Sequence, residues 1–271
     1  MTAEVYVTGN FKGGVSKTKT ATMLAFDNAL IFEKKTCLID LDPQANASEI
    51  MARTAGIERI DSTISQGLVE GTLKNCITPI ANNLDLIACD TGFRSFPRYV
   101  ISNYETETEQ VHVLSKLIDT IREDYDTIYI DVPPTISEFS DNAMIAADYS
   151  IIVFQTTRES LDGVRKYINY QNYLVDTYGT KIDAAGILPA MFQKNSNIDY
   201  SIIDEARNTY GSIVLDTVVT YKERLKVYSS EGIHLGTYRN GNYERWDYQA
   251  HEVYINILNE LNGNVQLLKE G

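Results

Sequence analysis

Apolar residues along this chain come in short unbroken runs rather than alternating with polar ones. The runs are EVYVTG (4–9), TCLIDL (36–41), LDLIAC (84–89), TIYIDV (127–132), YSIIVF (149–154), AAGILPA (184–190) and SIVLDTVV (212–219). Continuous runs rich in Ile and Val are the pattern of strands buried on both faces. Helix-length segments separate most of them. After the first run, Ala21, Leu24, Ala25, Ala29 and Phe32 recur at helical spacing. Further helices are expected near 107–122, 138–147, 159–177, 199–209 and 247–262. Strands alternating with helices predict an α/β fold, a mostly parallel twisted sheet with helices on both faces. The stretch 91–106, TGFRSFPRYVISNYET, has no clear period and reads as a surface excursion with a short irregular helix. No repeat, low-complexity segment or linker interrupts the pattern. A single domain over 1–271 is expected, with no separate N-terminal DNA-binding domain. Ligands of such sheets bind at the carboxyl ends of the strands.

Composition narrows the class. Hydrophobic residues make up 44% and charged residues 23% of the 271 residues, which is ordinary for a globular protein. Cys37, Cys76 and Cys89 form no CxxC pair, which argues against a disulfide framework or a metal site. No apolar run approaches 20 residues and no basic-plus-apolar leader opens the chain, so a cytoplasmic protein without a membrane span is expected. The net charge of −13 repels nucleic acid on average, so any DNA contact needs a local basic patch.

The chemistry concentrates in GNFKGGVSKTKT (9–20), which follows the first strand and opens a helix. Gly9 to Thr18 reads G-x-x-x-x-G-x-x-K-T rather than G-x-x-x-x-G-K-T. The physics of a phosphate loop still applies. Glycines let backbone N–H groups of Gly13, Gly14, Val15 and Ser16 converge on phosphates at a helix N-terminus. Lys17 would neutralise β- and γ-phosphates, the Thr18 hydroxyl would ligate Mg²⁺, and Lys19 adds charge alongside. One phosphate loop needs one lysine, and Lys12 is a second. Later, YDTIYIDVPP (125–134) is an apolar strand ending in Asp131, the pattern of an acid that holds Mg²⁺ through water and Thr18.

Lys12, Gly13, Gly14, Lys17 and Thr18 together resemble the deviant Walker A loop of the ParA/MinD family of ATPases, especially short plasmid-partition ParA proteins. The resemblance runs from residue 4 to about 262. It implies a P-loop NTPase of the deviant Walker A type that uses ATP and Mg²⁺. Lys12 would be the signature lysine, which crosses a nucleotide-sandwich homodimer to the phosphates held by the other subunit. LIDLDPQANAS (38–48) is similar to the family's D-x-D-P-Q motif, so Asp42 would position the attacking water and Asp40 would help hold Mg²⁺ through water. Two acids at a strand end can also cap a helix, and Pro43 suits a first helical turn. Asp148 matches a buried acid of the family's next strand. Pro189 and Ala190 fall where the family contacts adenine. Ser16 stands where the family has Gly, Lys19 where it has Thr, and Thr220 and Val227 depart from its later P-R-x-x-R-L-x-E-A pattern.

The resemblance implies an ATPase that dimerises on ATP, binds nonspecific DNA, associates with the nucleoid and is stimulated by a centromere-binding, ParB-like adaptor. For DNA contact, Lys222, Arg224 and Lys226 would share one face of an extended segment, with Lys194, Arg239 and Arg245 extending the patch. The last helical stretch, HEVYINILNELNGNVQLLKEG (251–271), carries Val253, Ile257, Leu258 and Leu261 on one face, expected to pack on the sheet. With Lys269 the only Lys or Arg of that stretch, it offers little to anionic lipid, so no membrane partner is expected. The alternative is a MinD-like positioning ATPase acting on a protein cargo or the division machinery. A P-loop reductase with bridging Fe–S clusters would need paired cysteines that this chain lacks, and a module that only holds nucleotide would not need Asp42 and Asp131.

Overall fold

A computed structural model describes residues 2–237 and 244–270. The strands are β1 (Glu4–Gly9), β2 (Thr36–Asp40), β3 (Ile77–Ala81), β4 (Leu84–Ile87), β5 (Thr127–Asp131), β6 (Tyr149–Gln155), β7 (Asp183–Phe192) and β8 (Val219–Thr220). The helices are α1 (Lys17–Leu30), α2 (Asn46–Ala55), α3 (Ile64–Glu70), α4 (Phe96–Asn103), α5 (Glu107–Val111), α6 (Val113–Asp119), α7 (Glu138–Ala146), α8 (Arg158–Tyr178), α9 (Asn197–Tyr210), α10 (Glu223–Glu231) and α11 (Arg245–Glu270). The strands form one sheet in the order β3-β4-β2-β5-β1-β6-β7-β8, parallel except for the β3–β4 pair.

Each central strand feeds two cores. Val5 and Val7 of β1 join Ile128 and Ile130 of β5 on one face, under α6, α7 and α8. Tyr6, Leu38 and Tyr129 point to the other face, under α1, α2, α10 and α11. That two-sided burial explains the continuous apolar runs. On α11, Ile257, Leu258 and Leu261 are buried and Val253 is half-buried against the same core, so the apolar face packs inward as the sequence pattern predicts.

Several segments differ from the sequence reading. β3 is an antiparallel edge strand hidden from the pattern because it is half-exposed and contains Pro79, which an edge tolerates. It turns into β4 through Asn82 and Asn83, the latter at φ +60°. The run 212–219 is not one strand. Only Val219 and Thr220 pair as β8, because the N–H groups of Asp216 and Thr217 donate to the Glu260 carboxylate at 2.6 and 3.0 Å. The region 91–106 is no surface excursion: Phe93 and Phe96 are buried and stack at 5.0 Å, with Phe139 against both. The helix expected over 107–122 breaks at His112 into α5 and α6. Asp148 lies just before β6, at the amino edge of the sheet, half-buried and paired with Arg122 while it accepts from the Val5 N–H at 2.8 Å. It is a clamp between strands remote from the carboxyl ends.

The carboxyl edge is set by packing behind β1. A Cβ added at Gly9 would fall 2.1 Å from the Tyr167 ring, which is buried under Phe11. Glycine is required there because backbone and ring share the space. Gly9→Ala is expected to lower stability by about 3 kcal/mol, as overpacking of a rigid core does. Urea unfolding should show it, and the double variant with Tyr167→Ala should be less destabilised than the sum of the two single changes.

Candidate functional site

Three acids and one loop meet at the carboxyl ends of β1, β2 and β5. The parallel register sets Thr8 beside Asp131 and Asp131 beside Asp40. Both carboxylates are fully buried. Adjacent buried acids resist ionisation. Burial first, then the neighbouring Asp40, pushes Asp131 up to about 8, while the Thr18 hydroxyl and Lys17 act in the opposite direction. Asp131 Oδ1 lies 3.4 Å from the Thr8 hydroxyl, which can donate to it, and Oδ2 is buried without a hydrogen-bond partner among the described residues.

Asp40 is differently committed. Its Oδ1 accepts from the Asp42 N–H at 3.0 Å, and its Oδ2 accepts from the Ser48 N–H and hydroxyl at 2.9 and 2.8 Å. It therefore ties the first turn of α2 to the sheet, but neither acid is the N-cap of that helix, which begins at Asn46 after Ala45 rather than at Pro43. Asp42 accepts from the Gln44 N–H at 2.9 Å and stays half-exposed in the cleft.

The loop after β1 is pinned by Asn10. Its buried side chain donates to the Val153 carbonyl at 2.9 Å and accepts from the Lys12 N–H at 2.9 Å. Ser16 ends the loop at φ +76°, a left-handed conformation that favours glycine and costs a serine about 1 kcal/mol. Lys17 is only 6% exposed, and its Nζ donates to the Lys12 carbonyl at 3.3 Å. Burial lowers its pKa, with Asp131 and Asp42 opposing. Lys19 is half-buried, and burial lowers its pKa too. Lys12 and Gly13, by contrast, are exposed.

A cleft of 530 Å³ opens over this loop. Gly14, Val15, Ser16, Lys17, Thr18, Lys19 and Asp42 line it, as do Asn46, Glu49, Ile50 and Arg53 of α2, Val132, Pro134, Met191 and Ser229. Pro189 and Ala190 are not among the lining residues. They are buried inside β7, paired with Phe154 and Gln155, and Met191 at φ +56° is the β7 residue that reaches the cleft. Asn10, Met191, Arg53 and Ser229 were missed by sequence reasoning. Asn10 alone had a local signal, as an Asn inside the glycine loop. The others come from separate segments: the Arg53 guanidinium donates to the Ser229 carbonyl at 2.9 Å and to Glu49 at 2.7 Å, joining α2 to α10.

The basic residues are arranged otherwise than an extended strand would arrange them. Arg224 and Lys226 lie in the first turn of α10, with Lys222 at its N-cap. Residues two apart on a helix face different ways, whereas positions four apart share a face. Arg224 is bound to Asp247 and donates to His234 at 2.8 Å, so its charge is spent internally. Lys226 is exposed, with Glu223 at 3.9 Å. Lys222 donates to the Gln249 carbonyl; burial lowers its pKa, Glu252 opposes, and Lys194 lies close enough to lower it further. Lys194 and Arg245 are exposed, and Arg239 lies outside the described residues. Among the described residues, no helix is long and apolar enough to cross a membrane.

The AAA_31 family, described as an AAA domain, matches residues 3–184. The chain is 27% identical over 263 residues to the sporulation initiation inhibitor protein Soj of Bacillus subtilis, covering 94% of this chain and 96% of that protein. It is 25% identical over 229 residues to the chromosome-partitioning ATPase Soj of Treponema pallidum, covering 84% and 87%. The fold is shared with the crystal structure of a putative plasmid partition protein of Borrelia burgdorferi B31 bound to AMPPNP, with a TM-score of 0.76, 22% identity, and 96% of this chain and 99% of that one covered. The strand order, the loop after β1 and these similarities agree: the chain belongs to the AAA_31 family of AAA domains, within the ParA/MinD group of P-loop ATPases.

Proposed function

We propose that this chain is a Mg²⁺-dependent ATPase that partitions DNA. It closes as a homodimer on ATP, rides on nonspecific DNA of the nucleoid, and leaves it when a centromere-bound, ParB-like adaptor stimulates hydrolysis. The whole of 1–271 acts as one ATPase domain. The observation that carries this reading is the contrast between the two loop lysines. Lys17 is folded into the cleft, where the phosphates of this subunit's ATP would replace the Lys12 carbonyl as its partner. Lys12 is exposed, as a lysine must be if it is to reach the phosphates of a second subunit. A charge delivered in trans favours the transition state only when two subunits meet.

The donor set fits the cation. Asp131 has a buried oxygen without a partner among the described residues and resists ionisation, so a positive charge beside it is favoured. Thr18 and Asp131 would hold Mg²⁺, with Asp40 reaching it through water while keeping its bonds to Ser48. Held there, the cation would offset the negative charge of the nucleotide's phosphates. The N–H groups of Gly13, Gly14, Val15 and Ser16 point phosphate oxygens onto the start of α1, Lys19 adds charge beside them, and Asp42 orients the attacking water. Met191 replaces Pro189 and Ala190 as the β7 contact for the nucleotide. The relative named for chromosome partitioning supports the DNA cargo. Lys194, Lys222 and Lys226 are the proposed DNA contacts, and Arg224 supports them from beneath. A protein cargo is the second reading, favoured by the net charge of −13 and by the engagement of Arg224 with Asp247.

Retention on nonspecific duplex DNA at low salt, with ATP, ADP or no nucleotide, tests the proposal. ATP-dependent retention that is lost in Lys12→Ala, and weakened across all sequences in Lys194→Ala/Lys222→Ala/Lys226→Ala, is expected. ATP-driven dimerisation without retention under any condition would assign a protein cargo instead. Asp42→Ala should bind ATP and accumulate as dimer, with turnover reduced at least about 100-fold, as loss of a water-positioning group implies; single-turnover phosphate release reads it.

Asp131 gives a pH prediction. Its folded pKa is raised, so its contribution to stability is full below the ordinary carboxylate value and is lost as pH rises toward about 8. Asp131→Asn should flatten the fall in melting temperature of the nucleotide-free protein between pH 5.5 and 8.5. The same variant should lose the Mg²⁺-dependent part of ATP binding. An unchanged pH profile would refute the buried, cation-seeking role of Asp131.

A further inference from the structure

A chain of polar side chains runs through the core behind the nucleotide cleft. Asp27, on the buried face of α1, contacts His251 Nδ1 of α11, and both residues are fully buried. His251 Nε2 faces the His234 carbonyl at 3.1 Å and the Tyr228 hydroxyl at 3.3 Å. Tyr228 of α10 donates its proton to Asp247 at 2.7 Å, so its oxygen can only accept from the imidazole. Asp247 in turn binds Arg224 and accepts from the Gly236 N–H at 2.8 Å. Every partner of the His251 ring nitrogens is thus an acceptor unless Asp27 carries a proton. One proton must lie between Asp27 and Nδ1, and another must sit on Nε2. Without the first, a carboxylate and a ring lone pair would face each other in a site closed to water.

We infer that the proton held between Asp27 and His251 is a latch: it fixes α10 and the start of α11 against the phosphate-loop helix, and its loss lets them loosen. His251 and Tyr228 are positioning residues that act through Asp247 on Arg224. What they position is the helix that carries Lys222 and Lys226 and contributes Ser229 to the cleft wall. The latch stands whichever cargo the protein carries.

Other charges around the pair favour the same state. Burial lowers the imidazolium's pKa, but the hydrogen bond and charge of Asp27, the His234 carbonyl and Asp247 outweigh it and raise His251 above its ordinary value. Burial raises Asp27 as well, to about 6, with His251 opposing. Tyr254 of α11 and Tyr129 of β5 face Asp27 as neutral phenols, and Arg224 is offset by Asp247 and Glu244. With the folded value raised, the stabilisation is full below the ordinary histidine value of about 6.5 and is lost as pH climbs through the folded one.

The chain supplies its own reporter, because its single tryptophan, Trp246, sits exposed beside Asp247 at the start of α11. Trp246 fluorescence of the full chain should show a titration step above the ordinary histidine range. His251→Gln should abolish that step. Asp27→Asn, which keeps the shape without the charge, should move it down by at least ~1 pH unit. His234→Gln should leave it in place, since His234 already accepts from Arg224. Tyr228→Phe should keep the pH dependence of the melting temperature but uncouple Trp246 from it. Absence of a step in the unmodified protein overturns the latch. So does a step that survives unmoved in His251→Gln or Asp27→Asn. If His251→Gln does not fold, Asp27→Asn and Tyr228→Phe decide.

Discussion

Two carboxylates buried side by side, Asp40 and Asp131, are the constraint around which this protein is arranged. Adjacent parallel strands in register force them together, and both are fully buried. Such a pair is unfavourable unless each acid finds its own compensation. Asp40 finds it in three hydrogen bonds from Asp42 and Ser48, which also fasten the start of α2. Among the described residues, Asp131 finds only Thr8 and the nearby Thr18 and Lys17, and keeps an oxygen without a partner. The site is thus complete on the Asp40 side and incomplete on the Asp131 side. On the proposed function, a cation with phosphate ligands would supply what is lacking, and nucleotide binding would relieve the buried pair.

The same acids tie the cleft to the rest of the molecule. Because Asp40 anchors Ser48, α2 is rigidly referenced to the sheet, and Asp42 sits just before it. At its far end α2 meets α10 with almost no clearance: a Cβ on Gly232 would lie 2.5 Å from the Thr54 nitrogen, and Gly232 holds φ +92°, a conformation suited to glycine. The Ile233 N–H donates to Thr54 at 2.8 Å, and Arg53 bridges to Ser229. Packed cores are bistable rather than soft, so any shift of α2 has to be matched by α10. α10 is held from two sides, by α2 at its carboxyl end and by the Asp247 contacts of Arg224 in its first turn and Tyr228 further on.

What could be read from the sequence follows from how local each signal is. The central strands were legible because burial on both faces leaves an unbroken apolar run. The glycine loop and its two lysines were legible because the chemistry lies within ten residues. β3 escaped because a half-exposed edge strand with a proline has neither signature. The run 212–219 misled because Glu260, far along the chain, takes over the hydrogen bonds of a strand. Pro189 and Ala190 were close in sequence to the cleft but face the core of the sheet, and only their neighbour Met191 emerges. The wall formed by Arg53 and Ser229, 176 residues apart, and the Asp27–His251 pair, 224 apart, had no local signal at all.

The acidity of the chain and its proposed ride on DNA are compatible only if the few basic groups are kept together and outward. Lys194 lies near Lys222, and Lys226 is exposed one turn on. Arg224 between them is turned inward to Asp247, so it contributes position rather than charge. Three lysines on one subunit make a weak polyanion site. Two subunits facing the same way double the number of phosphate contacts, and because affinity rises steeply with contact number, doubling does far more than add. An acidic monomer with a small basic patch is therefore well suited to a switch. On the proposed function, it would be repelled from DNA alone and held there as a dimer, with the exposed Lys12 linking the second state to ATP.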